Sequence, residues 1–577
     1  MYRTNYCGLL DESFVGKDVT LSGWVENIRD HGGVIFVDLK DIKGVVQLVS
    51  NDENMFTSLS KESVIKVTGT IRQREVDDYN EKISTGKIEV LVDTLEVLSK
   101  ANSLPFSIAT SREVNEETRL KYRYLDLRNN KVRDNILFRA KLLKFLRNKM
   151  DSLDFNEVQT PIITASSPEG ARDFIIPSRK FKGRFYALPQ APQIYKELLM
   201  VAGFDKYYQI APCFRDEDSR SDRTLEFYQL DFEMSFATEE DVYNIGEEIF
   251  YDTFTNFSDK KVSPRPFKRI SYKESMLKYG TDKPDLRNPL EIIDISDVFK
   301  ESSFKPFRGS IVRAIKVDDL ATKSNSWFNE VVDYAKKIDM PGIGYISVLE
   351  DNTFKGPIDK FLTDDDRKAL IEKANLKVNS VLFFIADRME NIASKQAGLI
   401  RTYLANKLDL IDHDSFEFCI INDFPMFEYN EETKKYDFGH NPFSMPQGGI
   451  DALENEKIDD IKAYQFDFVC NGYEMSSGAV RNHDIKSLQK AFSMVGYDES
   501  VVEEKFKSLY NAFKYGCPPH AGMAPGIDRM LMLLRDENNL REVQAFPTSV
   551  SGEDKLMGSP SVVSELQLRE AHIKIRD

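Results

Sequence analysis

The stretch from Cys213 to Phe236 contains the side chains of this sequence that are best suited to chemistry. Its second half alternates apolar residues, the last of them Phe236, with polar ones, a pattern typical of a half-buried strand whose apolar side chains face a core. Polar and aromatic side chains from both halves are therefore expected to share one sheet face: Arg215, Glu217, Phe227, Gln229 and Asp231. Such a set could bind a charged ligand, and a solvated sheet face is the alternative interpretation.

A second charged group surrounds Asn471-Gly472, the strongest kind of two-residue hairpin signal. A hairpin with this loop places Asp467 and Glu474 on one face as diagonal neighbours. Two carboxylates in this arrangement could share a magnesium ion or a hydrogen-bonding ligand. Because they would otherwise repel each other, a nearby lysine or arginine is the alternative.

The same two-residue loop pairs Asp467 with Ser476. Strict alternation then puts Arg481 on the face opposite Glu474. A β-bulge within residues 476–478 would return Arg481 to the shared face.

Two cations lie near predicted helix N-termini, where they oppose the helix dipole. Lys196 follows Pro192, and Arg529 follows the Gly/Pro turn in HAGMAPGIDR. An anionic ligand would explain both positions, and a phosphate would suit Arg529. Local salt bridges are the alternative.

These residues must be positioned by a chain of several domains. Residues 1–104 contain five short strand-like runs separated by turns, which favours a small barrel of the OB type. On its surface, Arg29, Phe36 and Gln47 could stack on and read single-stranded bases. Taken alone, each of the three is better explained as ordinary surface or core.

The rest of the chain divides by pattern. A helix capped by Asp134 or Asn135 is followed by the strand FNEVQTPIIT, whose Pro161 should place it at an edge or an interface. The predicted segments after the barrel are a linker or hinge (105–134), the first part of a second domain (135–284), an inserted α/β module (285–412), the second part (413–555) and a C-terminal extension (556–577).

Composition excludes several functional classes. No apolar run approaches the ~20 residues of a membrane helix, and MYRTNYCGLLDESF has no targeting design. The five scattered cysteines lack ligand spacing, which disfavours disulfides and zinc and fits a cytoplasmic setting. A net charge of −16 disfavours non-specific nucleic-acid binding. The basic stretch Arg119–Lys149 could still contact a phosphate backbone, or form a solvated helix face. No Walker, GxGxxG, kinase or Ser/His/Asp pattern is present.

With these motifs in view, the chain resembles the bacterial-type aspartyl-tRNA synthetases of class IIb from end to end. FNEVQTPII, FRDEDSRSDRTLEFYQLD and GMAPGIDR resemble class II motifs 1, 2 and 3. Segments typical of the aspartate enzymes are SPEGARD, ALPQAPQIYKE, YGTDKPDLRNP, FGHNPF and NGYEMSSGAVR. The resemblance implies an α+β fold with an N-terminal OB anticodon-binding barrel, an antiparallel class II sheet flanked by helices, and an inserted α/β domain.

The resemblance also implies roles for individual residues. Catalysis is implied for Arg215, Glu474 and Arg529, and magnesium binding for Asp467 and Glu474. The implied aspartate pocket is Glu169, Gln193, Lys196, Arg215, Asp231, His440 and Arg481. The implied ATP contacts are Arg215, Asp216, Glu217, Thr224, Phe227, Glu474, Gly526, Ile527, Asp528 and Arg529. The implied tRNA-reading residues are Arg29, His31, Phe36, Gln47 and Asp77.

The expected substrates are ATP with Mg²⁺, L-aspartate and tRNA-Asp, and a homodimer without membrane attachment is expected. His31 and Asp77 resemble the forms found in enzymes that charge both tRNA-Asp and tRNA-Asn. Departures from the common pattern occur at Ala191, Asn441 and Thr224-Leu225. Lysyl- and asparaginyl-tRNA synthetases share these motifs, and an inactive paralogue that binds RNA is the alternative from another functional class.

Overall fold

The computed structural model describes residues 1–32, 34–166, 170–351, 353–430 and 433–576. The chain separates into two compact units, Met1–Val114 and Asn115–Asp577. Within the described ranges, no helix is long and apolar enough to cross a membrane.

The first unit is built around a closed barrel. Its strands, counted over the described residues, are β1 (Asp18–His31), β2 (Val34–Asp41), β3 (Gly44–Val49), β4 (Val64–Gln73) and β5 (Ile88–Ser99). They close in the order β1-β2-β3-β5-β4. Alternating side chains such as Leu21, Val37, Leu48 and Val90 fill the interior. The prediction of an OB-type barrel is confirmed. Strand β1 extends beyond the run Val19–Val25 that the sequence predicts, because it pairs with both β2 and β4.

The second unit starts with helices and continues into the sheet that carries the site. Its elements up to residue 279 are α1 (Glu116–Lys121), α2 (Arg123–Asp126), α3 (Asn130–Ser152), β6 (Asn156–Glu157), β7 (Ile175–Pro177), β8 (Phe185–Ala187), α4 (Gln193–Val201), β9 (Lys206–Phe214), β10 (Glu226–Ser235), α5 (Glu239–Phe257), β11 (Lys261–Val262), β12 (Lys268–Ser271) and α6 (Tyr272–Tyr279).

The inserted module contains β13 (Ile292–Asp294), β14 (Ile311–Val317), α7 (Asn325–Lys337), β15 (Gly344–Val348), β16 (Phe354–Lys355), α8 (Asp364–Ala374), β17 (Val381–Asp387) and α9 (Glu390–Lys407). Its strands form a separate sheet in the order β13-β14-β17-β15-β16, and each neighbouring pair is antiparallel. Apolar clusters cover both faces of this sheet, so the module has its own core.

The chain then returns to the main sheet. Its last elements are β18 (Ser415–Phe416), β19 (Phe418–Asn422), β20 (Phe427–Asn430), β21 (Lys435–Phe438), α10 (Gly449–Asn455), β22 (Gln465–Cys470), β23 (Tyr473–Val480), α11 (Ile485–Met494), α12 (Glu499–Lys505), α13 (Lys507–Phe513), β24 (His520–Met523), α14 (Ile527–Leu534) and α15 (Glu565–Glu570).

The main sheet is mixed. Over the described residues its order is β12-β19-β22-β23-β24-β10-β9-β6, with parallel pairs only at the two ends. One face packs against α3, α5 and α14 through side chains that include Leu142, Phe250, Phe468 and Leu531. The other face of β10, β22 and β23 is therefore left to carry polar residues.

Three local expectations were wrong. Helix α3 begins at Asn130 and not at Asp134 or Asn135, because the Asn129 side chain accepts from Lys131 N and caps it. Strand β6 lies at the sheet edge as predicted, but it ends at Glu157, well before Pro161. Phe236 does not join the core: it follows the end of β10 with φ 55° and is 73% exposed.

The basic stretch was expected to form a solvated helix face or a phosphate contact, yet part of its charge points inward. Arg119 and Arg123 are buried and both pair with Asp126. Lys149 bonds Glu248 on α5. The segment predicted as a linker contains α1, α2 and the start of α3, and Arg119 ties it to the rest of the unit through Glu542 (2.7 Å).

Candidate active site

A cavity of roughly 360 Å³ lies over the polar face of β10, β22 and β23. Hairpin register explains why distant motifs meet there, since β10 pairs with β9 on one side and β24 on the other. The predicted site residues that line this cavity are Gln193, Lys196, Arg215, Glu217, Thr224, Phe227, Asp231, His440, Asp467, Glu474, Arg481, Gly526, Asp528 and Arg529.

The other predicted residues of this group lie elsewhere. Asp216 is exposed, and its backbone N donates to Arg172 O (3.0 Å). Ile527 is fully buried in the apolar core behind the sheet. Glu169 lies outside the described residues.

The predicted carboxylate pair is present. The Asn471–Gly472 turn pairs Val469 with Glu474, as the loop length implied. A bulge at the next step makes Ser477, and not Ser476, the partner of Asp467. A bulge was expected at residues 476–478; it occurs between Glu474 and Ser476, and it brings Glu474 and Arg481 to the same cavity.

Cations surround this pair. Lys283 Nζ lies 3.4 Å from Glu474 Oε2, and Arg529 Nη1 lies 3.6 Å from Glu474 Oε1. Arg529 also donates to the Glu474 carbonyl (2.6 Å). Although burial acts to raise it, Arg529 and Lys283 lower the pKa of Glu474. Burial and the neighbouring Glu474 charge raise the pKa of Asp467.

At the other end of the cavity, two cations share one buried acid. Lys196 Nζ contacts Asp231 Oδ1 (2.8 Å) and Glu233 Oε2 (3.2 Å). Arg481 makes a two-point contact with the Glu233 carboxylate, at 2.8 and 3.1 Å. All four side chains are buried, so their charges interact in a low-dielectric setting. Burial raises the pKa of Asp231, and the Lys196 ammonium opposes this effect.

A second layer supports this pocket. His520 Nε2 lies 3.1 Å from Glu197 Oε2, and Gln193 Nε2 donates to Glu197 Oε1 (2.6 Å). Although burial alone would lower it, hydrogen bonds to Cys517 and Glu197 raise the pKa of His520 to about 10. His520 and Glu197 therefore form an ion pair, and Glu197 in turn fixes the Gln193 side chain at the cavity wall.

An aromatic ring and a guanidinium form the third part of the cavity. The Arg215 guanidinium lies 5.0 Å from the centre of the Phe227 ring. Beside them, the Asp528 carboxylate accepts from Tyr228 N (3.0 Å) and pairs with Arg139. Asp528 of α14 therefore links β10, through Tyr228 N, to α3, through Arg139.

The departures from the common pattern have local partners. Thr224 is buried and donates to Glu226 O (2.7 Å). Asn441 Oδ1 accepts from Phe443 N (2.9 Å), which shapes the loop after His440. Burial lowers the pKa of His440.

Sequence reasoning missed three contributors: Glu233, Lys283 and the Glu197–His520 pair. Glu233 was visible in the polar row of β10, since it follows Gln229 and Asp231 at the same spacing. Lys283 lies in the quoted segment YGTDKPDLRNP. Glu197 and His520 also lie in quoted segments, ALPQAPQIYKE and HAGMAPGIDR, but no sequence signal paired them, because 323 positions separate them.

The residues predicted to read tRNA lie in the first unit. Arg29 Nη2 bonds Asp38 Oδ1 (2.6 Å) and Gln47 Oε1 (3.1 Å). The rings of His31 and Phe36 pack edge to face at 5.7 Å. Phe36 is half-buried and lines a smaller cavity.

The two remaining positions differ in exposure. Gln47 is buried and also donates to Glu89 Oε2 (2.7 Å). Asp77 is exposed in a 3₁₀ turn after β4.

Both units match known families. Residues 115–550 match the family described as tRNA synthetases class II (D, K and N). Residues 19–98 match the OB-fold nucleic acid binding domain.

Curated relatives match over the full length. The chain is 50% identical to the aspartate–tRNA(Asp/Asn) ligase of Rickettsia canadensis (strain McKiel), covering 100% of this chain and 98% of the relative. It is 52% identical to the protein of the same name from Anaplasma phagocytophilum (strain HZ), with the same coverage.

Solved structures share the fold. Asparaginyl-tRNA synthetase from Pyrococcus horikoshii, complexed with asparaginyl-adenylate, superposes with a TM-score of 0.58 at 19% identity, covering 95% of this chain and 98% of that one. Aspartyl tRNA synthetase from Entamoeba histolytica gives a TM-score of 0.56 at 19% identity, with 94% and 91% covered.

Proposed function

Because the chain belongs to the class II tRNA synthetases of the D, K and N group, we propose that it is an aspartate–tRNA ligase. It activates L-aspartate with ATP and transfers it to the 3′ end of tRNA-Asp. The observation that carries the proposal is that Lys196 and Arg481 reach one cavity beside Asp231. Two cations suit a side-chain carboxylate, and Asp231 suits an α-ammonium. A lysine side chain would meet like charge there, and an asparagine amide would lack the anionic charge that the cations attract.

Activation requires positioning and charge stabilisation, and no general base from the protein. The α-carboxylate of aspartate attacks the α-phosphorus of ATP in line, and pyrophosphate leaves. Arg215 contacts the α-phosphate and the attacking carboxylate, and Arg529 contacts the γ-phosphate. Phe227 stacks on adenine and Glu217 accepts from its amino group. The tRNA 3′-hydroxyl then attacks the adenylate carbonyl and releases AMP.

Asp467 and Glu474 are suited to a magnesium ion. Asp467 Oδ1 is buried and, over the described part of the chain, has no hydrogen-bond partner. Magnesium, when bound, neutralises charge that develops on the phosphates. Because the described residues offer no cluster of three or more His, Cys, Asp or Glu ligands, phosphate oxygens and water would complete its shell.

The proposal extends to tRNA-Asn. His31 and Asp77 resemble the forms of enzymes that accept both tRNAs, and the relatives bear the name aspartate–tRNA(Asp/Asn) ligase. The barrel surface around Arg29, Phe36 and Gln47 is the proposed anticodon site.

We also propose a homodimer located in the cytoplasm. The chain beyond the edge strand β6 exposes Ile162 and Ile163 by 46% and 60%, a pair of apolar side chains suited to a second copy. Cys7, Cys419, Cys470 and Cys517 are free thiols, as expected in a reducing compartment. Sedimentation of the full-length protein tests the dimer; a monomer at micromolar concentration contradicts it.

Aspartylation of the two tRNA transcripts tests the function. The protein should charge both tRNA-Asp and tRNA-Asn with aspartate, and Asp77→Lys should lower charging of tRNA-Asn more than that of tRNA-Asp. Charging of tRNA-Asp alone by the wild type would contradict the proposal that the protein accepts both tRNAs. Binding of either tRNA without charging would favour the inactive paralogue.

A further inference from the structure

Two segments outside the main sheet meet at the cavity. The flap is residues 215–225, which join β9 to β10, and the brace is residues 539–545, which follow α14. Flap residues Glu217, Arg223 and Thr224 line the cavity, and so does Leu540 of the brace.

The brace holds the flap by its backbone. Leu540 N donates to Ser221 O (2.8 Å), and Arg541 Nη1 donates to Arg220 O (3.1 Å). The contacts within the flap join residues that are close in sequence. Arg220 N donates to Arg223 O (2.8 Å), and Arg223 pairs with Glu217 (2.6 Å). The brace therefore holds the flap at Arg220 and Ser221, while Asp216 N, nearer the start of the flap, donates to Arg172 O (3.0 Å).

The Arg541 guanidinium is itself fixed from the opposite side. Its Nε donates to Glu116 Oε1 (3.0 Å). The other oxygen of Glu116 accepts from Asn539 Nδ2 (3.0 Å). Glu116 is the first residue of α1, immediately after the chain enters the second unit at Asn115. Arg541 is only 5% exposed, while the Glu116 side chain is 33% exposed, so these bonds are partly shielded from water.

Residues of the basic stretch hold the rest of the brace. Arg123 donates to the carbonyls of Arg541 (3.1 Å), Gln544 (2.8 Å) and Ala545 (3.0 Å). Arg119 makes two bonds to the Glu542 carboxylate, at 2.7 and 2.9 Å. Two arginines of the stretch that the sequence suggested could contact a phosphate backbone thus bind the brace.

We propose that Arg541, held by Glu116, is a positioning residue that fixes the flap in the conformation that binds ATP. It contacts neither the aspartate pocket nor the carboxylate pair, so it acts through the flap backbone. Its planar fork bonds an acid with one nitrogen and a carbonyl with another, a geometry that lysine reproduces only in part.

The first test is hydrogen exchange of backbone amides in the full-length protein. Arg541→Met should speed exchange of the flap amides at least tenfold, and Arg541→Lys should restore part of the protection. Glu116→Ala, at a less buried site, should speed it in the same direction without leaving a large cavity. Flap protection equal to wild type in both Arg541→Met and Glu116→Ala would overturn the proposal.

The second test separates positioning from loss of structure, and it rests on the proposed function. In ATP–pyrophosphate exchange, Arg541→Met should raise the KM for ATP about tenfold and change the KM for aspartate less than twofold. Equal rises in both KM values would overturn a positioning role. If the wild type shows no exchange with aspartate, the proposed function fails, while hydrogen exchange still tests the flap contact.

A matched control is available in the inserted module. Arg313 is 1% exposed and bonds Asp294 and Glu390, each at 2.7 Å. Arg313→Met removes an equally buried arginine from another core. It should leave flap exchange and the KM for ATP unchanged; a flap effect as large as that of Arg541→Met would overturn the specific role of Arg541.

Discussion

At the residue scale, Glu233 links the two cations of the proposed aspartate pocket. It is fully buried and bonds both Lys196 and Arg481. Although burial acts to raise it, these cations lower the pKa of Glu233 to about 2. We expect Glu233→Gln to destabilise the second unit by about 3 kcal/mol at pH 7, because two buried cations lose their shared anion. Urea unfolding monitored by circular dichroism measures this change.

The matched control for Glu233 is an exposed pair. Glu240 makes a two-point contact with Arg269 at the surface, so Glu240→Gln should cost less than about 1 kcal/mol. A loss for Glu233→Gln no larger than this would contradict the proposed importance of the buried network.

The His520–Glu197 pair gives a pH prediction. Because the folded pKa of His520 is about 10, above the value of about 6.5 in unfolded chains, its stabilisation is complete below pH ~6.5. That stabilisation is lost as pH rises towards the folded pKa. The urea midpoint of the wild type should therefore fall between pH 7 and 10, by the equivalent of a few kcal/mol.

His520→Gln should lack this part of the pH dependence and should be less stable at pH 7. His572, which is exposed near the C-terminus, provides the control substitution His572→Gln. Parallel curves for wild type and His520→Gln from pH 7 to 10 would contradict a charged, buried His520.

At the scale of elements, the β22–β23 hairpin sets the distance between the two carboxylates. Asn471 and Gly472 both have positive φ, 52° and 86°, as this turn requires. Gly472→Ala should destabilise the hairpin by about 1 kcal/mol and raise the Mg²⁺ concentration needed for half-maximal ATP–pyrophosphate exchange.

The control for the turn is Gly496→Ala, because Gly496 has nearly the same φ, 87°, in the loop after α11. It should show a similar loss of stability with unchanged Mg²⁺ dependence. An equal Mg²⁺ shift in both variants would show that the turn has no specific role at the site.

Elements with a local signal could be predicted from the sequence. Alternation in β10 and the Asn471–Gly472 turn placed Asp231, Asp467 and Glu474 correctly on strands. The position of the bulge beside Glu474 could not be predicted, because a single extra residue shifts side-chain faces without changing composition. The Glu197–His520 pair could not be predicted either, because only tertiary packing brings α4 beside β24.

Long-range burial also overrode local patterns at the start of the second unit. The run of lysines and arginines in Arg119–Lys149 looks like a surface feature in sequence. Arg119 and Arg123 become buried because acids supply the opposite charge. Asp126 is a local partner of Arg123, whereas Glu542 lies 423 positions from Arg119. Only the first of these partners was visible from the sequence.

At the scale of the molecule, the chain consists of two compact units, Met1–Val114 and Asn115–Asp577. The barrel has its own apolar core, and the second unit contains the whole cavity. We expect residues 115–577 alone to retain aspartate-dependent ATP–pyrophosphate exchange within about tenfold of the full chain, and to lose most charging of tRNA. Loss of exchange in a folded 115–577 fragment would contradict this division.

The central claim is that the cavity activates aspartate. Amino-acid-dependent ATP–pyrophosphate exchange by the full-length protein measures this step without tRNA. We predict exchange with L-aspartate and a rate at least 100-fold lower with asparagine or lysine, because of these three only aspartate offers a side-chain carboxylate to Lys196 and Arg481. Exchange that prefers asparagine or lysine, or no exchange with any amino acid, would contradict the account.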